Sequence, residues 1–170
     1  ENAQKNYGER LVLIPGLAQP TIPPKHYDLE ILQKGTSDLP KPDKRIVVNC
    51  PWSQDKITYP LIRCLKELRA RCRRLVMYRF FPNQAIYQFA PFLPFCQTMA
   101  EELGSGRVEI PTATGTEYLR WISAGQVALD SWPFGGYNTI IDSLLARVPI
   151  VALEGKKCYE RVGAALLRRV

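Results

Sequence analysis

Apolar residues from position 45 onward follow two alternating patterns. Short runs of β-branched and other apolar residues predict strands, and stripes at spacings of three and four residues predict amphipathic helices. The clearest stripe joins Leu61, Leu65, Leu68 and Cys72. The predicted strands lie at 46–50, 75–80, 108–110, 127–130 and 150–153. The predicted helices lie at about 61–72, 94–103, 116–124, 137–147 and 156–170.

Strands that alternate with helices need crossover connections, which make neighbouring strands parallel. The strands are short and apolar, as expected for a sheet that is covered on both faces. We therefore predict an α/β fold, a doubly wound Rossmann-like parallel sheet. If the strand order is 3-2-1-4-5, the chain reverses direction between strands one and four. Ligands bind at such a switch, outside the carboxyl ends of the strands, which singles out the loops at 51–56 and 131–138.

The first 44 residues differ from the rest of the chain. A short strand candidate, Leu11–Ile14, is followed by six prolines before position 44. Proline lacks the N–H that a helix or a sheet needs, so we predict an irregular connector here. We divide the chain into a Pro-rich linker at 1–44, with the remnant of a preceding domain, and a sheet-forming domain at 45–170.

Composition narrows the class of protein. The chain has 170 residues, of which 46% are hydrophobic and 23% charged, as in globular domains and unlike disordered chains. No apolar run has the length of a membrane span, and no secretory signal is visible, so we expect a cytoplasmic protein. Five cysteines without metal-site spacing and a single histidine predict buried free thiols and no metal site.

A net charge of +7 is compatible with nucleic acid, an anionic membrane or a phosphorylated small molecule as partner. The densest basic cluster contains Arg69, Arg71, Arg73 and Arg74. It lies at the end of a predicted helix, where cations offset the helix dipole. The aromatic residues that nucleic-acid patches interleave with charges are absent until Tyr78. We interpret the cluster as a solvated helix end and expect no nucleic-acid binding.

The loop after the fourth predicted strand has the features of an anion site. Gly135 and Gly136 allow a sharp turn and a close approach of the backbone to a ligand. The following helix points unpaired N–H groups and the positive end of its dipole at the same place, which favours a phosphate or pyrophosphate. These N–H groups belong to Tyr137, Asn138 and Thr139. Asp142, one turn beyond Asn138, is spaced to accept hydrogen bonds from ribose hydroxyls.

Each of these features also has a simpler interpretation. The glycines then make only a tight turn between strand and helix, Asn138 caps the helix, and Asp142 complements its dipole. In the first loop, Lys56 either reaches across the switch to the same phosphates or is a solvated lysine. Trp52 either stacks on a ligand or lies at the rim of the site.

Residues from about 45 to 170 resemble the nucleotide-sugar-binding half of glycosyltransferase family 41, which includes the O-GlcNAc transferases and the bacterial adhesin N-glucosyltransferases. The strongest match is the motif at 130–142, Asp-Ser-Trp-Pro-Phe-Gly-Gly-Tyr-Asn-Thr-Ile-Ile-Asp, followed by 149–155 and Arg161. A looser match is Ser53-Gln54 with Lys56-Ile57. The Pro-Phe-Gly-Gly and Asn-x-x-x-Asp elements of the motif are closer to the bacterial N-glucosyltransferase branch than to the O-GlcNAc enzymes. The motif departs from the O-GlcNAc branch at Tyr137, where that branch has a histidine.

The resemblance implies the arrangement of two Rossmann domains called GT-B, of which this chain supplies the donor-binding half. The donor site that it implies contains Gln54, Lys56, Pro111, Thr112, Ala113, Gly135, Gly136, Tyr137, Asn138, Thr139 and Asp142. In this set Lys56 and the helix that starts near Asn138 hold the donor diphosphate, and Asp142 binds the ribose. The backbone of 111–113 contacts uracil, and Gln54 lies by the diphosphate or the sugar.

The reaction that the resemblance implies is an inverting transfer from UDP-glucose or UDP-N-acetylglucosamine to a protein side chain. A lysine and fixed backbone dipoles would stabilise the charge on the leaving UDP. The chain has no Asp-x-Asp motif, which favours a reaction without a metal or another cofactor. We assign no catalytic residue to this chain, because the general base and the acceptor site are expected in a missing amino-terminal half. A non-catalytic Rossmann-like interaction module is the alternative.

Overall fold

The computed structural model of the chain describes residues 3–12, 30, 44–82, 93–110 and 115–170. In these ranges the strands are β1 (Ile46–Cys50), β2 (Val76–Phe80), β3 (Arg107–Glu109), β4 (Val127–Leu129) and β5 (Ile150–Val151). The α-helices are α1 (Tyr59–Arg71), α2 (Leu93–Leu103), α3 (Gly115–Ser123), α4 (Asn138–Leu145) and α5 (Cys158–Leu167). Short 3-10 turns form at Ala3–Asn6, Gln54–Lys56 and Gly104–Gly106.

The five strands form one parallel sheet in the order β3-β2-β1-β4-β5. On one side β1 pairs with β2 along its whole length, and on the other Val48 of β1 is in register with Val127 of β4. The predicted Rossmann-like α/β class is therefore confirmed, and the strand order considered for it is the observed one. The chain reverses direction between β1 and β4, so the carboxyl ends of these two strands border a crevice.

Helices cover both faces of the sheet. On one face, side chains of β1 and β2 pack with those of α1 and α2 in the larger core cluster. Its fully buried members include Cys50, Ile62, Leu65, Tyr78, Met99 and Leu103. On the other face, Ala128 of β4 packs with Ile122 of α3 and with Val148. Leu129 packs against the first cluster, so successive residues of β4 point to opposite layers.

Two buried polar side chains of the sheet bind the end of α3. Arg79 Nη1 donates to the carbonyl of Trp121 and Asn49 Nδ2 to that of Ile122, each at 2.7 Å. Asn49 and Arg79 are in register on neighbouring strands, so both point to the α3 side of the sheet. The last carbonyls of a helix lack partners within it, and these bonds supply them. Burial lowers the pKa of Arg79 to about 10.

The predicted stripe of α1 holds for three of its four residues. Leu61 and Leu65 are buried, and Cys72 packs against the same core from just beyond the end of the helix, but Leu68 is 43% exposed. Ile62 takes the place of Leu68 on the buried face. The helix is therefore rotated towards Ile62 relative to the prediction, because β-sheet packing rather than the leucine spacing decides which arc of the helix is covered.

The prediction of buried thiols is confirmed for Cys50 and wrong for Cys64 and Cys158. Cys64 lies on the outer side of the rotated α1, and Cys158 is the exposed first residue of α5. Burial raises the pKa of the Cys50 thiol well above its usual value. The side chain of Cys96 lies outside the described residues.

The basic cluster lies mainly in solvent, as predicted. Arg71, Arg73 and Arg74 are exposed, whereas Arg69 Nη1 donates to the carbonyl of Leu103 at 2.8 Å. Among the helices in the described ranges, none has the length and apolar character needed to cross a membrane. The strand predicted at Leu11–Ile14 is not formed at 11–12, and the remainder of it lies outside the described residues, like most of 1–44.

Candidate functional site

Two of the predicted loops, 51–56 and 131–138, border the crevice between β1 and β4. The loop after β1 leads through the 3-10 turn at Gln54–Lys56 into α1, and the loop after β4 leads into α4. Both start at the same edge of the sheet, because β1 and β4 are parallel neighbours. The topology therefore brings the first and second candidate loops side by side.

Trp52 forms the floor of the crevice. Its side chain is only 4% exposed, and its Nε1 donates to the carbonyl of Leu129 at the end of β4 at 2.6 Å. The indole also meets the ring of Phe80 edge-on, with centroids 5.8 Å apart. Both interpretations of Trp52 from the sequence, a ligand-stacking ring and a rim residue, are therefore wrong. Its donor group and its apolar body are both used inside the fold.

Lys56 spans the crevice. Its Nζ donates to the backbone carbonyl of Gly135 at 3.0 Å, so that it joins the loop after β1 to the loop after β4. The side chain is part-buried rather than fully solvated. The neighbouring Gln54 is 5% exposed and lies below the surface. The contact of Lys56 with a phosphate, and that of Gln54 with a diphosphate or sugar, stay predictions.

Asp130 follows β4 directly, and its carboxylate turns back into the loop. Oδ1 accepts the backbone N–H of Ser131 at 2.8 Å and that of Gly136 at 2.7 Å. Burial raises the pKa of Asp130, whereas the N–H donors of Gly136 and Ser131 and the charge of Lys56 act in the opposite direction. We did not single out this residue from the sequence. The available signal was a carboxylate between a buried strand and a Gly-Gly turn.

The N–H groups of both predicted glycines have partners within the protein. Gly136 donates to Asp130, and Gly135 donates to the carbonyl of Tyr159 in α5 at 3.0 Å. The N–H groups of Gly135 and Gly136 are therefore already used and do not point at a ligand. We expect an anion to contact instead the N–H groups of the first turn of α4, which have no partner within the helix.

Helix α4 begins at Asn138, preceded by Tyr137 without a side-chain cap bond. The alternative in which Asn138 caps the helix is wrong, because Asn138 is already helical and its side chain is exposed. Thr139 packs over Gly136, where a Cβ would overlap Thr139 Oγ1. The start of α4 therefore carries the polar side chains of Asn138 and Thr139 directly after the glycine turn that Lys56 contacts.

Asp142 lies one turn into α4 and is only 8% exposed. Asn138, four residues earlier, is exposed. The predicted common face is therefore present along the helix, but the carboxylate is set below the surface. The predicted hydrogen bonds from ribose hydroxyls to Asp142 stay a prediction.

An aromatic pair lies next to the glycine turn. The rings of Phe134 and Tyr159 are stacked, with centroids 4.4 Å apart and an angle of 14° between their planes. Ser131 Oγ donates to the carbonyl of Phe134 at 2.5 Å. Phe134 is nonetheless 54% exposed, so the loop presents a fixed aromatic face to solvent beside the crevice. Sequence reasoning missed this pair, because Phe134 lies in the loop after β4 and Tyr159 in the first turn of α5.

Two carboxylates hold the loop between β5 and α5, Glu154 within the loop and Glu160 in the first turn of α5. Glu160 accepts the backbone N–H of Lys156 at 2.8 Å and that of Lys157 at 3.0 Å, which closes the start of α5. Glu154 binds the guanidinium groups of Arg168 and Arg161. The hydrogen bond from Arg168 is the main cause that lowers the pKa of Glu154. Arg161, part of the family resemblance, is thus engaged at the rim of this loop.

The predicted base contact of Pro111, Thr112 and Ala113 lies outside the described residues. In the described ranges, no group of three His, Cys, Asp or Glu side chains is placed to hold a metal ion. The site that the structure brings together therefore consists of Lys56, the glycine turn and the start of α4.

Neither a protein-family model nor a curated protein sequence matches the chain. Among solved structures, the chain is similar to a mutant of the O-GlcNAc transferase of Thermobaculum terrenum, with a TM-score of 0.63 and 21% sequence identity. The similarity covers 74% of this chain and 24% of that one, so the chain spans about a quarter of the transferase. At this identity the likeness establishes the fold, a Rossmann-like α/β domain that is consistent with one half of a GT-B protein.

Proposed function

We propose that residues 45–170 form the donor-binding half of a UDP-sugar-dependent glycosyltransferase. The reaction is an inverting, metal-independent transfer of glucose or N-acetylglucosamine to a protein side chain in the cytoplasm. The general base and the acceptor site belong to a preceding half of the protein, so this chain alone is inactive. The likeness of the fold to an O-GlcNAc transferase and the motif at 130–142 support this assignment.

The observation that carries the proposal is the bridge from Lys56 Nζ to the carbonyl of Gly135. It holds a cation at the switch point of the sheet, directly before the start of α4. Nucleotides bind doubly wound sheets at this position, with the pyrophosphate at a helix N-terminus. A mere turn between strand and helix needs no cation from the opposite loop.

The donor diphosphate contacts the first N–H groups of α4 and the ammonium group of Lys56. The sugar–phosphate bond breaks with negative charge accumulating on UDP, and a fixed dipole and a cation stabilise that charge most in the transition state. Asn138 and Thr139 add side-chain donors at the same end of the helix. Gly135 and Gly136 act through the shape of the turn, because their N–H groups are engaged.

The remaining donor contacts follow the family resemblance. Asp142 accepts from the ribose, the backbone of Pro111, Thr112 and Ala113 contacts uracil, and Gln54 lies beside the diphosphate or the sugar. Tyr137 precedes α4 and borders the same turn.

Calorimetric titration of the 170-residue chain with UDP tests the proposal. Lys56→Met removes a charge-assisted contact, which corresponds to roughly 10- to 150-fold weaker binding. Lys56→Arg keeps the charge and should lose less. Lys44→Met is the matched control, because Lys44 is an exposed lysine at the opposite, amino end of β1. Absence of UDP binding by the unmodified chain, or equal binding by the Lys56→Met and Lys44→Met variants, contradicts the proposal.

A second titration tests the ribose contact. Asp142→Asn keeps the size of the side chain but replaces one acceptor oxygen by a donor, and should weaken UDP binding by about tenfold. Inorganic pyrophosphate, which has no ribose, should bind this variant and the unmodified chain equally. A loss for both ligands would indicate a general disturbance of α4 rather than a ribose contact.

A non-catalytic interaction module is the second candidate. One observation favours it: Lys56 and the N–H groups of Gly135 and Gly136 all have partners within the chain. The sheet would then serve only as a scaffold. Failure of UDP and pyrophosphate to bind would support this candidate.

A further inference from the structure

A single peptide unit in the glycine turn is held from both ends. The carbonyl of Gly135 and the N–H of Gly136 belong to the same peptide bond. Lys56 Nζ donates to this carbonyl at 3.0 Å, and Asp130 Oδ1 accepts from this N–H at 2.7 Å. The peptide dipole therefore lies between a cation and an anion, with its oxygen towards the cation and its hydrogen towards the anion.

The surroundings of the Asp130 carboxylate leave space for it because two glycines lie next to it. Glycines from two different elements surround Oδ2: a Cβ on Gly163 of α5 would overlap this oxygen, and one on Gly135 would come within 3.1 Å of it. Ser131 donates a second N–H to Oδ1. The carboxylate is thus held by N–H donors of the loop and enclosed by glycines of the loop and of α5.

The carboxylate decides which way the peptide faces. If the peptide turned over, its carbonyl would point at the Asp130 carboxylate and its N–H at the Lys56 ammonium, and both contacts would be repulsive. With Asp130 in place, the carbonyl faces the crevice and offers Lys56 an acceptor. A long, flexible lysine side chain is thereby held at the crevice mouth before a ligand arrives.

We propose that Asp130 is a positioning residue of the nucleotide site, which orients the Gly135–Gly136 peptide so that its carbonyl holds Lys56 at the mouth of the crevice. The consequence for ligand binding rests on the function proposed above. The orientation of the peptide itself does not, and it has its own test.

Amide hydrogen exchange, measured by NMR on the 170-residue chain, tests the orientation. The Gly136 N–H should be protected in the unmodified chain and should exchange at least about tenfold faster in Asp130→Ala, because its acceptor is gone. Asp130→Asn keeps an acceptor oxygen and should retain most of the protection. Equal protection of Gly136 in the unmodified chain and in Asp130→Ala overturns the proposal, whether or not any nucleotide binds.

A double-mutant cycle tests the link to Lys56. We expect Asp130→Ala to weaken UDP binding by about tenfold, and Asp130→Ala combined with Lys56→Met to bind no more weakly than Lys56→Met alone. Uridine, which lacks phosphate, should bind Asp130→Ala and the unmodified chain equally. Additive losses, or an equal loss for uridine, would mean that Asp130 acts on the fold in general and would overturn the proposal.

Thermal unfolding shows whether each variant is folded at the assay temperature. If Asp130→Ala is not, Asp130→Ser serves instead, since its hydroxyl is one bond shorter and falls short of the Gly136 N–H. If the unmodified chain binds no UDP, the proposed function fails, and protection of Gly136 still decides the role of Asp130.

Discussion

Gly163 offers a direct test of how rigidly the Asp130 carboxylate is held. It lies within α5 and is buried, and an added methyl group would overlap Asp130 Oδ2 and come within 2.8 Å of Ile140 Cδ1 and 3.2 Å of Ala152 Cβ. Two effects of Gly163→Ala oppose each other. Helix propensity favours alanine by about 1 kcal/mol, whereas overpacking of a filled site costs about 1–3 kcal/mol.

We expect overpacking to win, because the nearest neighbour is a carboxylate fixed by two N–H groups rather than the free end of a side chain. The net loss is then up to about 2 kcal/mol, which lowers Tm by up to roughly 8 °C for a chain of this size. Urea denaturation and thermal unfolding followed by circular dichroism both measure this loss.

The control places the same substitution in an Asp130→Ala background. Without the carboxylate the methyl group has room on that side, so Gly163→Ala should become neutral or stabilising there, and the two effects should be strongly non-additive. A stabilised Gly163→Ala single variant would refute the reasoning, since it would show that the carboxylate moves aside at little cost.

Two further predictions concern the crevice and its floor. Burial raises the pKa of Asp130, so its carboxyl group takes up a proton more readily in the folded than in the unfolded chain. The folded state therefore gains stability as the pH falls through the raised pKa towards the unfolded value of about 3.9. The stability difference between Asp130→Asn and the unmodified chain should therefore shift in favour of the unmodified chain between pH 7 and pH 4, and a pH-independent difference in Tm would contradict this. Trp52→Phe removes the indole bond to the Leu129 carbonyl and should cost about 1–3 kcal/mol in urea denaturation, whereas an unchanged midpoint would show that the bond contributes nothing.

Short apolar runs and helical stripes were sufficient to predict the layers of the fold. Ile46–Cys50 was predicted to the residue, and the strand order considered for a doubly wound sheet is the observed one. The prediction failed where an apolar run in the sequence is longer than the strand it pairs with in the sheet. The predicted strand at 150–153 ends at Val151, since β4, its only partner among the described strands, ends at Leu129. No pattern within the run itself contains that limit.

The sequence predicted where the candidate site lies but not the hydrogen bonds that connect its residues. The loops were located correctly, because topology alone puts the ends of strands one and four together. The bond from Lys56 to Gly135 joins residues 79 positions apart. Trp52 was misjudged for the same reason, since its acceptor is a backbone carbonyl in another strand. The sequence shows which side chains can donate a hydrogen bond. In both cases, however, the acceptor is a backbone carbonyl, and only the fold determines which carbonyl lies within reach.

The bond from the Trp52 indole to the Leu129 carbonyl ties the loop after β1 to the end of β4. Widening the cleft at its base would have to break this bond together with the ladder between β1 and β4. For the nucleotide site proposed above, ligands of different size must therefore be accommodated by the turn at 131–137 and the 3-10 turn at Gln54–Lys56. We expect substitutions that alter ligand preference to lie in these two segments.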